Sequence, residues 1–178
     1  PPGTGKTSLA SAIASELSVP LQLVQYESVI GSYLGETSSR LSDMFEEAAQ
    51  APCVLFLDEF DTLAKERGDE RDAGEVKRVV STLLLQVDHL PSHVVLLAAT
   101  NHAELLDRAA WRRFQGVLHL PLPDAHQRAD FASSVAKRIG AVEPNRFIET
   151  AHAMLGASFA EIEELVLTAR RKEVIAAV

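Results

Sequence analysis

The sequence has one cysteine, Cys53, among 178 residues, so no disulfide can form within the chain. Cys53 stands directly before the apolar run "VLFL", a place that suits a buried structural thiol better than a reactive one. No apolar run approaches the length of a membrane span, and no signal-peptide pattern is visible, although a chain without its start could have lost one. Positive charge is scarce: 17 Lys plus Arg against 25 acidic residues give a formal net charge of -8. A broad nucleic-acid footprint needs a positive field to release counterions, so this balance argues against one and leaves room only for a small basic channel. What is present, 47% hydrophobic and 24% charged residues, is the composition of a soluble globular protein with a sizeable core. The default expectation for location is cytoplasmic.

Apolar spacing then divides the chain. Leu9, Ile13 and Leu17 at helical spacing predict a helix from about Gly5 to Ser18, stopped by Pro20. "LQLV", Leu21 to Val24, reads as a strand. After the loop signal "GSYLGE", a second helix carries Leu41, Met44, Phe45 and Ala48 on one face, and Pro52 ends that element. "VLFLDEFD" is a strand buried on both faces whose charged end emerges at the sheet edge. A charged loop from Lys65 to Glu75 precedes a helix to Leu90, a strand from Val94 to Thr100, the short helix "AELLDRAAWRR" and a last strand, Gly116 to Leu120. Alternating helices and strands imply α/β architecture, a parallel sheet sandwiched by helices. Beyond "PLPD" the pattern is all helical, over 127–139, 145–155 and 159–178, which predicts a small second domain. The expected division is therefore 1–122 and 123–178.

"PPGTGKT" supplies all of the phosphate-loop pattern G-x-x-x-x-G-K-[ST] except its first Gly, which would lie one residue before Pro1. Gly3 and Gly5 permit backbone angles that turn successive N–H groups inward, and the following helix adds its positive end. Lys6 would reach the β- and γ-phosphates, and the Thr7 hydroxyl would take a Mg²⁺ position. Asp58, a carboxylate at a strand's C-terminal end, suits the same hard cation. Glu59, on the other side of the strand, could polarise an attacking water. A solvated acidic turn is the bland alternative; four apolar residues before it and the phosphate loop upstream favour the site.

"PPGTGKT", "VLFLDE" and "LLAATN", in this order and spacing, resemble the ATPase module of the AAA+ family, and "GASFAEIEEL" extends the likeness into that family's helical lid. The resemblance implies a P-loop NTPase fold, ATP with Mg²⁺, and nucleotide contacts along Pro2, Gly3, Thr4, Gly5, Lys6, Thr7, Ser8 and Leu9. Asn101 falls at the water-positioning sensor, though an Asn there could also cap the next helix. "WRRF" lies where such proteins place arginine fingers, which makes Arg112 and Arg113 candidates to reach a neighbouring subunit's ATP; an exposed helix end is the alternative. The corresponding assembly is a homo-oligomeric ring, most often a hexamer.

"GSYLGE" resembles the first pore loop of AAA proteins that grip polypeptide, with Tyr33 and Leu34 projecting into a channel; the alternative is Tyr33 packed in the core. "KERGDERDAGEV" lies where a second pore loop or a solvated connection would fall. Val135 stands where many relatives have a lid His, and Ala160 where DNA-directed clades have an arginine sensor. The implied activity is that of a motor that remodels, unfolds or disassembles proteins through a central pore, with a DNA loader or DNA remodeller as the alternative. A strand is expected before the phosphate loop, in a longer chain. The six His form no metal-ligand pattern, since Pro91 prevents His89 and His93 from sharing a helical face.

Overall fold

The computed structural model describes residues 1–25, 34–60, 73–106, 108–141 and 144–176. Two compact units are present, Thr7–Val117 and a second made of Leu118–Val178 together with Pro1–Lys6.

Among the described residues, the first unit is built on three parallel strands in the order β1-β2-β3: β1 Leu21–Gln25, β2 Cys53–Asp58 and β3 Val94–Ala98. β2 is central, with Leu23 beside Phe56 and Leu55 beside Leu96 in register. A central parallel strand is covered on both faces, which is why an unbroken apolar run forms it. Residues 53–57 are indeed at most 5% exposed.

The two faces of β2 have different partners. Cys53, Leu55 and Leu57 join Val24, Leu41, Phe45, Val79, Leu83 and Val94 in the main core. These come in part from α2 (Leu34–Ala48) and α3 (Ala73–His89), which pack on each other. The predicted stripe Leu41, Phe45, Ala48 is buried, with Met44 partly so. On the opposite face Phe56 meets Ala10 of α1 (Lys6–Glu16) and Ala99. The buried stripe of α1 is Ala10 and Ala14, not the expected leucine line: Leu17 is 50% exposed. Small side chains let the helix approach the sheet closely.

After β3 the chain makes a 3-10 turn, Ala103–Leu105, and the single-turn α4, Arg108–Trp111. The last expected strand does not form: no residue of 116–120 pairs in the sheet among the described residues, and Val117 and Leu118 are 52% and 73% exposed. Apolar content alone does not make a strand; an adjacent ladder must take up its N–H and C=O groups.

In the second unit, α5 (Ala125–Arg138), α6 (Pro144–Ala153) and α7 (Phe159–Ala176) enclose Val135, Phe147, Ile162 and Val166, all at most 3% exposed. α5 starts with a reciprocal capping box: Gln127 N–H donates to Asp124 Oδ1 (2.8 Å), and Asp124 N–H to Gln127 Oε1 (3.0 Å). Arg128, 4% exposed, donates to the carbonyls of Pro123 (2.8 Å), Ala151 (3.0 Å) and His152 (3.0 Å). Two of those carbonyls belong to the last turn of α6, where intrahelical donors are missing and a cation is favoured by the helix dipole.

Candidate functional site

Periodicity explains how two distant residues meet. Phe56 and Asp58 share one face of β2, and Thr7 and Ala10 share one face of α1. With Ala10 packed on Phe56, Thr7 arrives at Asp58, and its hydroxyl donates to Asp58 Oδ2 at 3.2 Å across 51 residues of sequence. The other carboxylate oxygen, Oδ1, accepts the Glu59 N–H at 2.9 Å. Asp58 is thus held at both oxygens, half-buried at the end of a fully buried strand.

Glu59 is exposed and lies in the left-handed region at φ 53°. The strand ends at Asp58, so the direction of Glu59 comes from this turn rather than from strand alternation. Such a conformation costs a non-glycine residue about 1 to 3 kcal/mol and persists where its surroundings over-determine it. Here Phe60 N–H donates to Ala99 O (2.9 Å) and Ala99 N–H to Leu57 O (2.8 Å), closing the turn on both sides. Phe60 is buried and meets Phe114 edge to face, ring centroids 5.9 Å apart. An aromatic pair of this kind adds about 0.5 to 1.5 kcal/mol. It also fastens the "WRRF" segment to the residue after Glu59.

Along the phosphate loop, Gly3 and Gly5 have φ of 69° and 91°, values open to glycine and strained for other residues. Thr4 is buried and its hydroxyl donates to the Pro1 carbonyl at 3.0 Å; Lys6 Nζ donates to the same oxygen. Pro2, Ser8 and Thr7 are exposed, and Leu9 is half-buried. Thr7 and Asp58 are both hard-oxygen donors within hydrogen-bond reach, which fits a Mg²⁺ ion held through one hydroxyl, one carboxylate and waters.

The remaining candidates divide. Asn101 is exposed, three residues beyond the end of β3. Arg113 is engaged within its own unit: Nε and one terminal nitrogen bind Asp88 Oδ2 at 3.1 and 3.0 Å, and the other donates to Ala109 O at 2.7 Å. Arg112 is exposed, and no side-chain bond is recorded for it among the described residues. Tyr33 lies outside the described residues, as does 65–72 of the second expected pore loop. Leu34 is the first residue of α2, so helix, not loop, begins within "GSYLGE". Val135 is in the core of the second unit at 1% exposure. Cys53 is buried, its thiol donating to Ala48 O at 3.4 Å, and burial pushes its pKa up.

Sequence reasoning missed Ser158 and Glu161. Glu161 Oε2 accepts from Ser158 N–H (2.7 Å) and Ser158 Oγ (2.8 Å), and Glu161 N–H donates back to Ser158 Oγ (3.3 Å). The signal was there: S-x-x-E before an apolar run marks a capping box.

Comparison with known proteins gives the family. Residues 1–122 match the ATPase family associated with various cellular activities (AAA). An uncharacterized AAA family ATPase, y4kL of Sinorhizobium fredii, is 43% identical over 98% of this chain and 52% of its own length. The ATP-dependent zinc metalloprotease FtsH 1 of Methylacidiphilum infernorum is 36% identical over 97% of this chain and 29% of its own. The crystal structure of the FIGL-1 AAA domain in complex with ADP matches with a TM-score of 0.71 and 27% identity, covering 94% of this chain and 56% of that one. The chain thus spans about half or less of the length of the two relatives. A family match over more than half of the chain, a relative at 43% identity and a shared P-loop α/β architecture lead to one conclusion: this chain belongs to the AAA family of ATPases, in the AAA clade.

Proposed function

We propose that this chain is the motor module of a Mg-dependent, ring-forming ATPase that remodels, unfolds or disassembles proteins, with an α/β domain over 1–122 and a helical lid over 123–178. The observation that carries the reading is the Thr7–Asp58 contact with Glu59 beside it on a closed, strained turn. In this reading the amides of Gly3 to Thr7 and the Lys6 ammonium hold the β- and γ-phosphates of ATP, with Pro2, Ser8 and Leu9 lining the nucleotide. Thr7 and Asp58 would hold Mg²⁺, which supplies neutralisation of the charge gathering on the phosphates. Glu59 accepts the proton of the attacking water and Asn101 orients that water. Lys6 exchanges the Pro1 carbonyl for phosphate.

Arg112 is the better candidate for a finger acting in a neighbouring subunit, because Arg113 is bound to Asp88 and Ala109. A ring, most often six copies in this family, supplies that neighbour, and Tyr33 with Leu34 would grip a polypeptide in its channel. Two things support protein over DNA as the client: the net charge of -8, and a relative that is by name a metalloprotease. Among the described residues no helix is long and apolar enough to cross a membrane, and a cytoplasmic site of action is part of the proposal.

Phosphate release with Mg²⁺ and ATP tests it, using wild type, Lys6→Ala, Glu59→Gln and Tyr33→Ala, each with unfolded protein or with DNA added. Glu59→Gln is expected to lose about 10² or more in turnover while still binding ATP. Unfolded protein is expected to stimulate the wild type and not Tyr33→Ala. Stimulation by DNA alone would reverse the choice of client, and unchanged turnover in Glu59→Gln would remove that residue from its role.

A further inference from the structure

Within the second unit, α7 begins against the phosphate loop. Ala160 N–H donates to the Gly3 carbonyl at 3.2 Å. A Cβ built on Gly3, at φ 69°, would lie 2.7 Å from Ser158 Oγ and 2.9 Å from Ala160 Cβ, so only glycine fits. The first amides of a helix have no intrahelical acceptor. In α7 the Ala160 amide is given to the loop, while the amides of Ser158, just before the helix, and of Glu161 are taken up by the Ser158–Glu161 box. Phe159 is held in turn by Phe131, ring centroids 4.9 Å apart. The Ala160 amide is therefore aimed by neighbours on either side of it.

A peptide group is planar and trans, so its C=O and N–H point in opposite directions. Holding the Gly3 carbonyl toward α7 turns the Thr4 N–H away from α7. The Thr4 side chain, buried and bonded to the Pro1 carbonyl, fixes the next link of the loop. The loop's donors are in this way set by a helix that begins more than 150 residues later in the chain.

We propose that Glu161 is a positioning residue for nucleotide binding: acting through Ser158, it holds the Ala160 amide on the Gly3 carbonyl and so presets the phosphate loop before nucleotide arrives. The proposal rests on the reading of Gly3 to Thr7 as a nucleotide loop. Preorganisation of this kind raises affinity by lowering the ordering cost of binding. Glu161 itself need touch no phosphate.

The test is a titration of the protein with a fluorescent methylanthraniloyl-ADP, read by anisotropy, alongside melting curves without nucleotide. Glu161→Ala and Ser158→Ala are each expected to raise Kd about fivefold, the scale set by loss of one cap. Glu161→Gln keeps the acceptor and is expected to recover most of the affinity. Val166→Ala, at a lid-core position with 0% exposure, serves as the stability control. It is expected to lower the melting temperature at least as much and to leave Kd within about twofold. Wild-type affinity in Glu161→Ala, or equal weakening in Val166→Ala, would overturn the proposal. Lys6→Ala separates the two levels: if it abolishes binding while Glu161→Ala does nothing, only the positioning role falls; if wild type itself does not bind, the nucleotide reading falls with it.

Discussion

At Glu59 local strain coincides with the proposed chemistry. This residue combines a left-handed backbone with an exposed side chain. Glu59→Gly is expected to remove a backbone cost and to leave the fold about 0.5 to 1 kcal/mol more stable in urea unfolding, while phosphate release falls to background. A loss of stability would mean that the side chain has structural contacts of its own. The two arginines of "WRRF" make a second pair of opposites. Arg113→Ala breaks a half-buried ion pair and a carbonyl bond and is expected to lower stability by about 1 to 2 kcal/mol. Arg112→Ala is expected to leave melting unchanged and to lower turnover steeply, with partial recovery when mixed with a Lys6→Ala variant that supplies the finger. Equal loss of stability in both variants would end the distinction.

Among the elements, the helices of the second unit show how charge serves helix ends. The Ser158 backbone and hydroxyl donate to Glu161 and hold its carboxyl below the usual glutamate range. A depressed folded-state pKa contributes stability in full above the ordinary glutamate pKa and loses it as pH falls through the folded value. Melting curves should therefore show a gap between wild type and Glu161→Gln near neutral pH that closes under acid conditions; a gap independent of pH would show that ionisation plays no part. Arg128 serves the opposite pole, closing the end of α6 and the Pro123 carbonyl. Arg128→Met keeps much of the volume but orphans three acceptors, and a loss of about 2 to 4 kcal/mol in urea unfolding is expected. Capping boxes were legible in the sequence as D-x-x-Q and S-x-x-E, since they are local. The partners of Arg128 were not, because 23 and 24 residues separate it from two of them.

For the whole molecule, the proposed completion of the site by a neighbour's guanidinium would make activity depend on association. Specific ATPase activity should rise with protein concentration and level off as sedimentation shows rings to fill; a flat dependence with monomers throughout would remove the trans finger and the ring together.

The order of motifs, the buried central strand with its acidic end, and the helical C-terminal third were settled by sequence, because spacing of apolar residues and glycine placement act over a few residues. Packing decided the rest. The alanine stripe of α1, the Thr7–Asp58 contact, the engagement of Arg113 by Asp88 and the seating of Gly3 under α7 each join segments far apart in the chain. The same holds for the failure of 116–120 to become a strand. A ladder needs a second strand at hydrogen-bond distance, and no pattern within five residues can provide it.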